Sequence, residues 1–153
     1  MTISNFVFGN AKGRWVEKSL LPLGTDNLLI VLFQSSGLQV DATLQTYSTL
    51  AQITGAGNTE AGFTNYSRLV ISGSGISVTF PSNTSASVAL LSNPVWNAAG
   101  GASNNTLGKL LVCYRPTSSS LDSAILPLTA HDFSCTTTGG NLTATMSTIA
   151  TAT

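Results

Sequence analysis

LLIVLF, residues 28 to 33, decides how the rest of this chain is read. Six consecutive apolar residues, three of them β-branched or aromatic, are far short of the roughly 20 needed for a membrane-spanning helix. A run this short, preceded by the turn residues Pro22, Gly24, Thr25, Asp26 and Asn27, reads as a buried strand. LGKLLVCY, residues 107 to 114, is a second, almost continuous apolar strand. From Tyr66 onward the period is two: Arg68 and Val70, then Ile76, Val78 and Phe80, alternate with hydroxyl residues, the pattern of strands with one wet face. The Gly73-Ser-Gly75 interruption reads as a bulge or tight hairpin, since it lacks the spacing and following helix of a phosphate-binding loop.

Further strands are expected at Thr2 to Phe8, Arg14 to Leu21 and Val88 to Leu91, then in AILPL and HDFSC. A hairpin is expected to run from HDFSC through Gly139-Gly140 into LTATM. One helix is expected near residues 41 to 53, DATLQTYSTLAQI, with Asp41 at its start and Leu44, Tyr47 and Ala51 on one face. The fold class is therefore mainly β: a single-domain antiparallel sandwich or barrel over residues 1 to 153, with an N-terminal arm (about 1 to 20) and a loose C-terminal tail (about 147 to 153). At 153 residues the chain can bury about 68 to 70% of its unfolded surface, enough for a core of its own.

Only 8% of the residues are charged, six basic against six acidic, while serine and threonine fill about a quarter of the positions. The surface must be hydroxyl-rich. A net charge of zero provides no field for phosphates, which argues against nucleic acid as a partner, and it weakens repulsion between copies, as suits a subunit of an assembly. MTISNFVFGNAKGRW has no basic stretch followed by an apolar run of signal-peptide length. The four N-x-Ser/Thr sequons, at Asn65, Asn83, Asn104 and Asn141, carry no weight in so hydroxyl-rich a chain.

Material for catalysis is confined to LPLTAHDFSCTT, residues 126 to 137, with the sole histidine. His131 and Asp132 are neighbours, so on a strand they point to opposite faces and cannot act as base and orienter. No G-x-S-x-G elbow is present. His131 and Cys135 share a strand face but lie about 13 Å apart at about 3.3 Å per residue. Cys113, His131 and Cys135 would make a zinc site of unusual spacing with no fourth ligand. The residues themselves favour structure over chemistry: His131 satisfied by a backbone carbonyl, Asp132 in a turn or cap, Cys113 and Cys135 as two lone buried thiols with a disulfide as the minor alternative, and Tyr66 with its hydroxyl in solvent. Arg68 has Asp41 or Glu60 as its expected ion-pair partner. No enzymatic activity, cofactor or metal is expected.

SGLQVDATLQTYSTLAQI, EAGFTNYSRLVISG, VWNAAGGASNNTLGKLLVCY, LPLTAHDF and GGNLTATM occur in an order and spacing that resembles, from about residue 5 to residue 149, a group of small virion structural proteins of tailed bacteriophages. In the pattern of that group the segments at SNTSAS and TSSS are more acidic and the position of Cys135 is aliphatic. The resemblance implies a capsid decoration, or cement, protein on the outer surface of the head, binding the major capsid protein and self-associating as a homotrimer. Weak contacts repeated within a trimer would add up to strong attachment. Phe6, Arg14, Trp15 and Trp96, large side chains in irregular segments, are the expected assembly contacts. The alternatives are a tail tube or minor tail subunit and, from another class, a host-surface glycan-binding module. No membrane partner is implied.

Overall fold

Strands β2 (Asn27–Gln34) and β7 (Thr106–Arg115) are the two apolar runs of the sequence, and they lie side by side, antiparallel, from Asn27↔Arg115 to Gln34↔Leu107. The structure, a computed structural model, describes residues 5–8, 25–82, 85–146 and 148–152. Ten strands are described: β1 (Asn5–Val7), β2, β3 (Leu69–Ile71), β4 (Ile76–Ser82), β5 (Ser85–Leu90), β6 (Val95–Trp96), β7, β8 (Leu126–Thr136), β9 (Leu142–Thr143) and β10 (Ala150–Ala152). They make an antiparallel five-stranded sheet in the order β1-β8-β7-β2-β3, a three-stranded sheet β10-β5-β4 and a two-stranded ribbon β6-β9. The fold is mainly β and sandwich-like. Of the two architectures expected, no closed barrel forms among the described residues: there the large sheet stays open, with β1 and β3 at its edges.

Every residue of β2 from Asn27 to Phe33 is buried, as is β7 from Lys109 to Tyr114, which requires cover on both sheet faces. One hydrophobic cluster takes in Leu29, Ile30, Val31, Leu110, Leu111 and Val112 from the large sheet, Val88 and Leu90 from the small one, and Leu50 and Ile53 from the helical segment. Each such aliphatic side chain contributes about 1.5 to 3 kcal/mol through burial, so the two central strands hold most of the stabilising material.

Past Ile30 the outer edge of β2 outruns β3 and is completed by other groups. Leu32 N donates to the Tyr66 hydroxyl, Ala61 N donates to Leu32 O, and Gln34 N donates to Thr59 O. Buried backbone groups are thereby paired without a further strand. On β7, Gly108 sits where the ladder shifts register between Leu107 and Lys109. A Cβ there would stand 2.8 Å from Leu38 Cδ2 and 3.0 Å from Ser35 Cα, so only glycine lets that segment approach the strand.

Several expected elements differ. The helix is two short ones, α1 (Asp41–Leu44) and α2 (Leu50–Gly55). Thr49 caps α2 by accepting from Gln52 N, while Gln52 Oε1 accepts from Ser48 N, and this reciprocal pairing starts a new helix. Gly73–Gly75 is a 3₁₀ turn that carries the chain from the large sheet to the small one, neither bulge nor hairpin. AILPL and HDFSC fall in one eleven-residue strand, β8, whose hairpin partner is β7. β9 pairs with β6 instead of β8, so the expected C-terminal hairpin does not form. The expected loose tail contains β10, paired to β5, with Ile149 buried and its N–H donating to Val88 O. Of the expected arm, Asn5–Val7 is the edge strand β1 and Phe8 is wholly buried; the strand expected at Arg14 to Leu21 lies outside the described residues.

Candidate functional site

β8 places His131 and Asp132 on opposite faces of the large sheet, as strand alternation requires. His131 is half-buried in mid-strand, and its Nε2 lies 3.0 Å from Thr129 Oγ1. Its expected backbone carbonyl partner at a loop end is replaced by a hydroxyl two residues away on the same face. Burial, and then the positive charge of Lys109, hold the imidazole below its ordinary value against the pull of Asp132, so the ring is neutral at physiological pH.

Asp132 is no turn or cap residue. It stands opposite Lys109 in the β7–β8 ladder and forms an ion pair with the Lys109 ammonium. Lys109 is only 4% exposed although it lies in the apolar run of β7. Its Nζ also lies 2.8 Å from Asp41 Oδ1, in the first turn of α1, and 5.5 Å from the centroid of the Phe6 ring. Asp41, expected as a helix-capping residue, thus pairs with β7, and the α1 start has no side-chain cap. One ammonium therefore joins β7, β8 and α1 beneath an aromatic ring of β1.

A second ionic cluster occupies the far edge of the sheet. Arg68 donates through Nε and one terminal nitrogen to Glu60 at 2.8 and 2.6 Å, and through both terminal nitrogens to Asp122 at 2.6 and 2.9 Å. Of its two expected partners Glu60 is present, and Asp122, not Asp41, is the other. The hydrogen bond from Arg68 holds the Asp122 carboxyl below its usual range, and the two carboxylates push the guanidinium further up. The Tyr66 hydroxyl, expected in solvent, donates to Glu60 Oε1 at 2.8 Å and accepts from Leu32 N. Burial and the Glu60 charge raise that phenol far above its ordinary value. A network so fully hydrogen-bonded braces β2, the segment before β3 and the β7–β8 loop.

Cys113 is completely buried on β7 and Cys135 half-buried on β8, and both are free thiols. Burial raises both, the reverse of the shift that makes a thiol nucleophilic. Among the described residues no three histidines, cysteines or carboxylates gather in a way that could hold a metal ion, and no helix is long and apolar enough to cross a membrane.

Of the expected assembly contacts, Trp96 is a core residue: it is 2% exposed, and its indole N–H donates to Ser67 O at 2.9 Å. So little surface leaves it almost nothing to present to a partner. Beside it the loop with Gly100 is tied down by Ala99 N to Gly140 O, Gly139 N to Ala99 O and Gly100 N to Thr64 O, at 2.7 to 2.9 Å. Gly100 has φ +94°, and a Cβ there would meet Asn104 Oδ1 at 2.2 Å. Phe6 is partly buried, its ring tilted against that of Phe8 at 5.2 Å between centroids and facing the Lys109 ammonium. Arg14 and Trp15 lie outside the described residues. Among the described residues the large apolar side chains that face outward are aliphatic: Val40, Val70, Leu91, Val95 and Leu121. Their signal in the sequence was slight: Val40 and Leu121 stand singly between polar residues, whereas Val70 and Leu91 lie in apolar runs and Val95 lies between Pro94 and Trp96.

No protein-family model, curated protein or solved structure matches this chain.

Proposed function

We propose that this chain is a capsid decoration subunit of a tailed phage. In this reading it lies on the outer surface of the head, binds the major capsid protein, self-associates as a homotrimer and acts mechanically, not as an enzyme. The sequence blocks named above support the placement. The observation that carries the mechanical reading is the use of charge: every charged side chain among the described residues has a polar partner inside the chain. Arg68 holds Glu60 and Asp122, Lys109 holds Asp41 and Asp132, Arg115 donates to Asn27, and Asp26 accepts from Tyr114. The surface left over among the described residues is hydroxyls, amides and aliphatic groups, suited to close-packed contacts that salt screens little.

A subunit of this kind spreads load. Bonds from one copy to several lattice neighbours raise the barrier to rupture, and a trimer multiplies weak contacts. The test is the location and copy number of the protein in purified particles, together with the heat resistance of particles lacking it. The reading expects copies on the head in proportion to the capsid lattice, and intact heads that rupture at lower temperature when the protein is missing. Copies confined to the tail, or heads of unchanged resistance, overturn it.

A further inference from the structure

We propose that Lys109 and Asp132 are the reacting pair of a self-forming isopeptide bond that staples β7 to β8, with Asp41 as the proton-transfer residue. A buried amine held between two carboxylates is the juxtaposition such a condensation needs. The Lys109 side chain is 5% exposed, and the ladder sets its Cα opposite that of Asp132. The Phe6 ring, 5.5 Å from Nζ, shields one side of the ammonium from water. Asp41 Oδ1, at 2.8 Å from the same nitrogen, is in reach to take and return a proton. With its side chain 32% exposed, Asp41 also marks the way out for the water released.

The step balances without any outside reagent. A proton passes from the ammonium to the Asp132 carboxylate, leaving an amine and a carboxylic acid. Nζ attacks Asp132 Cγ. Asp41 accepts a proton from the attacking nitrogen and delivers it to the departing hydroxyl. One C–N bond forms, one C–O bond breaks, and one water leaves; nothing is oxidised or reduced.

Two physical effects favour the product. Reactants fixed in contact behave as if at an effective concentration of about 10⁵ to 10⁸ M when their geometry is near that of attack. Burial also penalises the two charges, whereas the amide product is neutral. The bond would close a loop between positions 23 residues apart, removing conformations from the unfolded chain.

Intact-mass measurement of the purified chain, with its N-terminus assigned, tests this directly. The wild-type chain is expected to weigh one water less than its sequence, with a branched peptide joining Lys109 to Asp132 after digestion. Lys109→Arg and Asp41→Ala are expected to keep their full sequence masses. Asp132→Asn, which offers an amide as electrophile, is expected to lose ammonia in place of water. A wild-type chain that holds its full sequence mass after prolonged incubation overturns the proposal, and this measurement needs no variant to fold. So does a water loss that persists in Lys109→Arg or maps to any other pair, Lys109 with Asp41 included.

Discussion

Replacing Arg68 with methionine keeps the aliphatic stem and removes the guanidinium, which isolates the second ionic cluster as a source of stability. Four charge-assisted hydrogen bonds are lost together, at 2.6 to 2.9 Å, and Glu60 and Asp122 are left without their shared cation. Breaking a buried pair by removing one partner costs about 3 to 5 kcal/mol. The Arg68 side chain is 27% exposed and Asp122 35%, so water recovers part of that, and the lower end, about 3 kcal/mol, is the expected loss. For a domain of this size the midpoint of thermal unfolding should fall by about 6 to 12 °C.

The pH dependence carries a sign of its own. Asp122 is held below its ordinary range in the folded state, so its contribution is fully present above the unfolded carboxylate value of about 3.9 and is lost as pH falls through the lowered folded value. The guanidinium stays charged throughout that window. The deficit of the variant against wild type should therefore be largest near neutral pH and shrink below about pH 4. Urea titrations followed by tryptophan fluorescence at pH 7 and pH 3 read both effects. An unfolding midpoint equal to that of the wild type at pH 7 would falsify the view that this network braces the sheet edge. So would a deficit of undiminished size at pH 3.

Three further substitutions or reactions follow from the same geometry. His131 is held low by burial, so stability should decline as pH falls from about 6.5 through the lowered folded value, and His131→Gln should flatten that slope in acid denaturation curves. Asn58, 2% exposed, accepts from Gln39 N and donates to Gln39 Oε1 and Ile53 O; Asn58→Ala should cost about 2 to 4 kcal/mol in chemical denaturation through groups left unpaired. In the native protein a maleimide should label Cys135 well before the fully buried Cys113, and equal rates would contradict the placement of Cys113 in the core.

The two central strands were legible because burial on both faces leaves continuous apolar runs, which a half-wet strand does not. Pairing was less so. LTATM has the period of a strand, but period says nothing of partner, and β9 joins Val95–Trp96, far away in sequence, while β8 spends both of its edges on β7 and β1. The break between α1 and α2 did have a local sign, Thr49 followed three residues later by Gln52, hidden inside a stretch whose apolar spacing reads as one helix. In the candidate site, Lys109 was visible as a charge inside an apolar strand, and a charge there requires a partner. Which carboxylates answer it depends on the β7–β8 register and on where α1 begins, and neither is encoded near residue 109.

Size alone does not tell an assembly anchor from a core residue, as Trp96 shows. Large amphipathic side chains fill cores and interfaces alike, and in a chain with only two tryptophans the core has first claim. Trp96 closes the space beside the tied-down Gly100 loop, and its indole N–H is spent on Ser67 O. Exposure separates the two uses where size does not. Val70 lies on the outermost strand of the large sheet, and Leu121 precedes the turn whose Asp122 is gripped by Arg68, two residues before Val70. Both aliphatic groups are thus carried by segments that the Arg68 network holds in place.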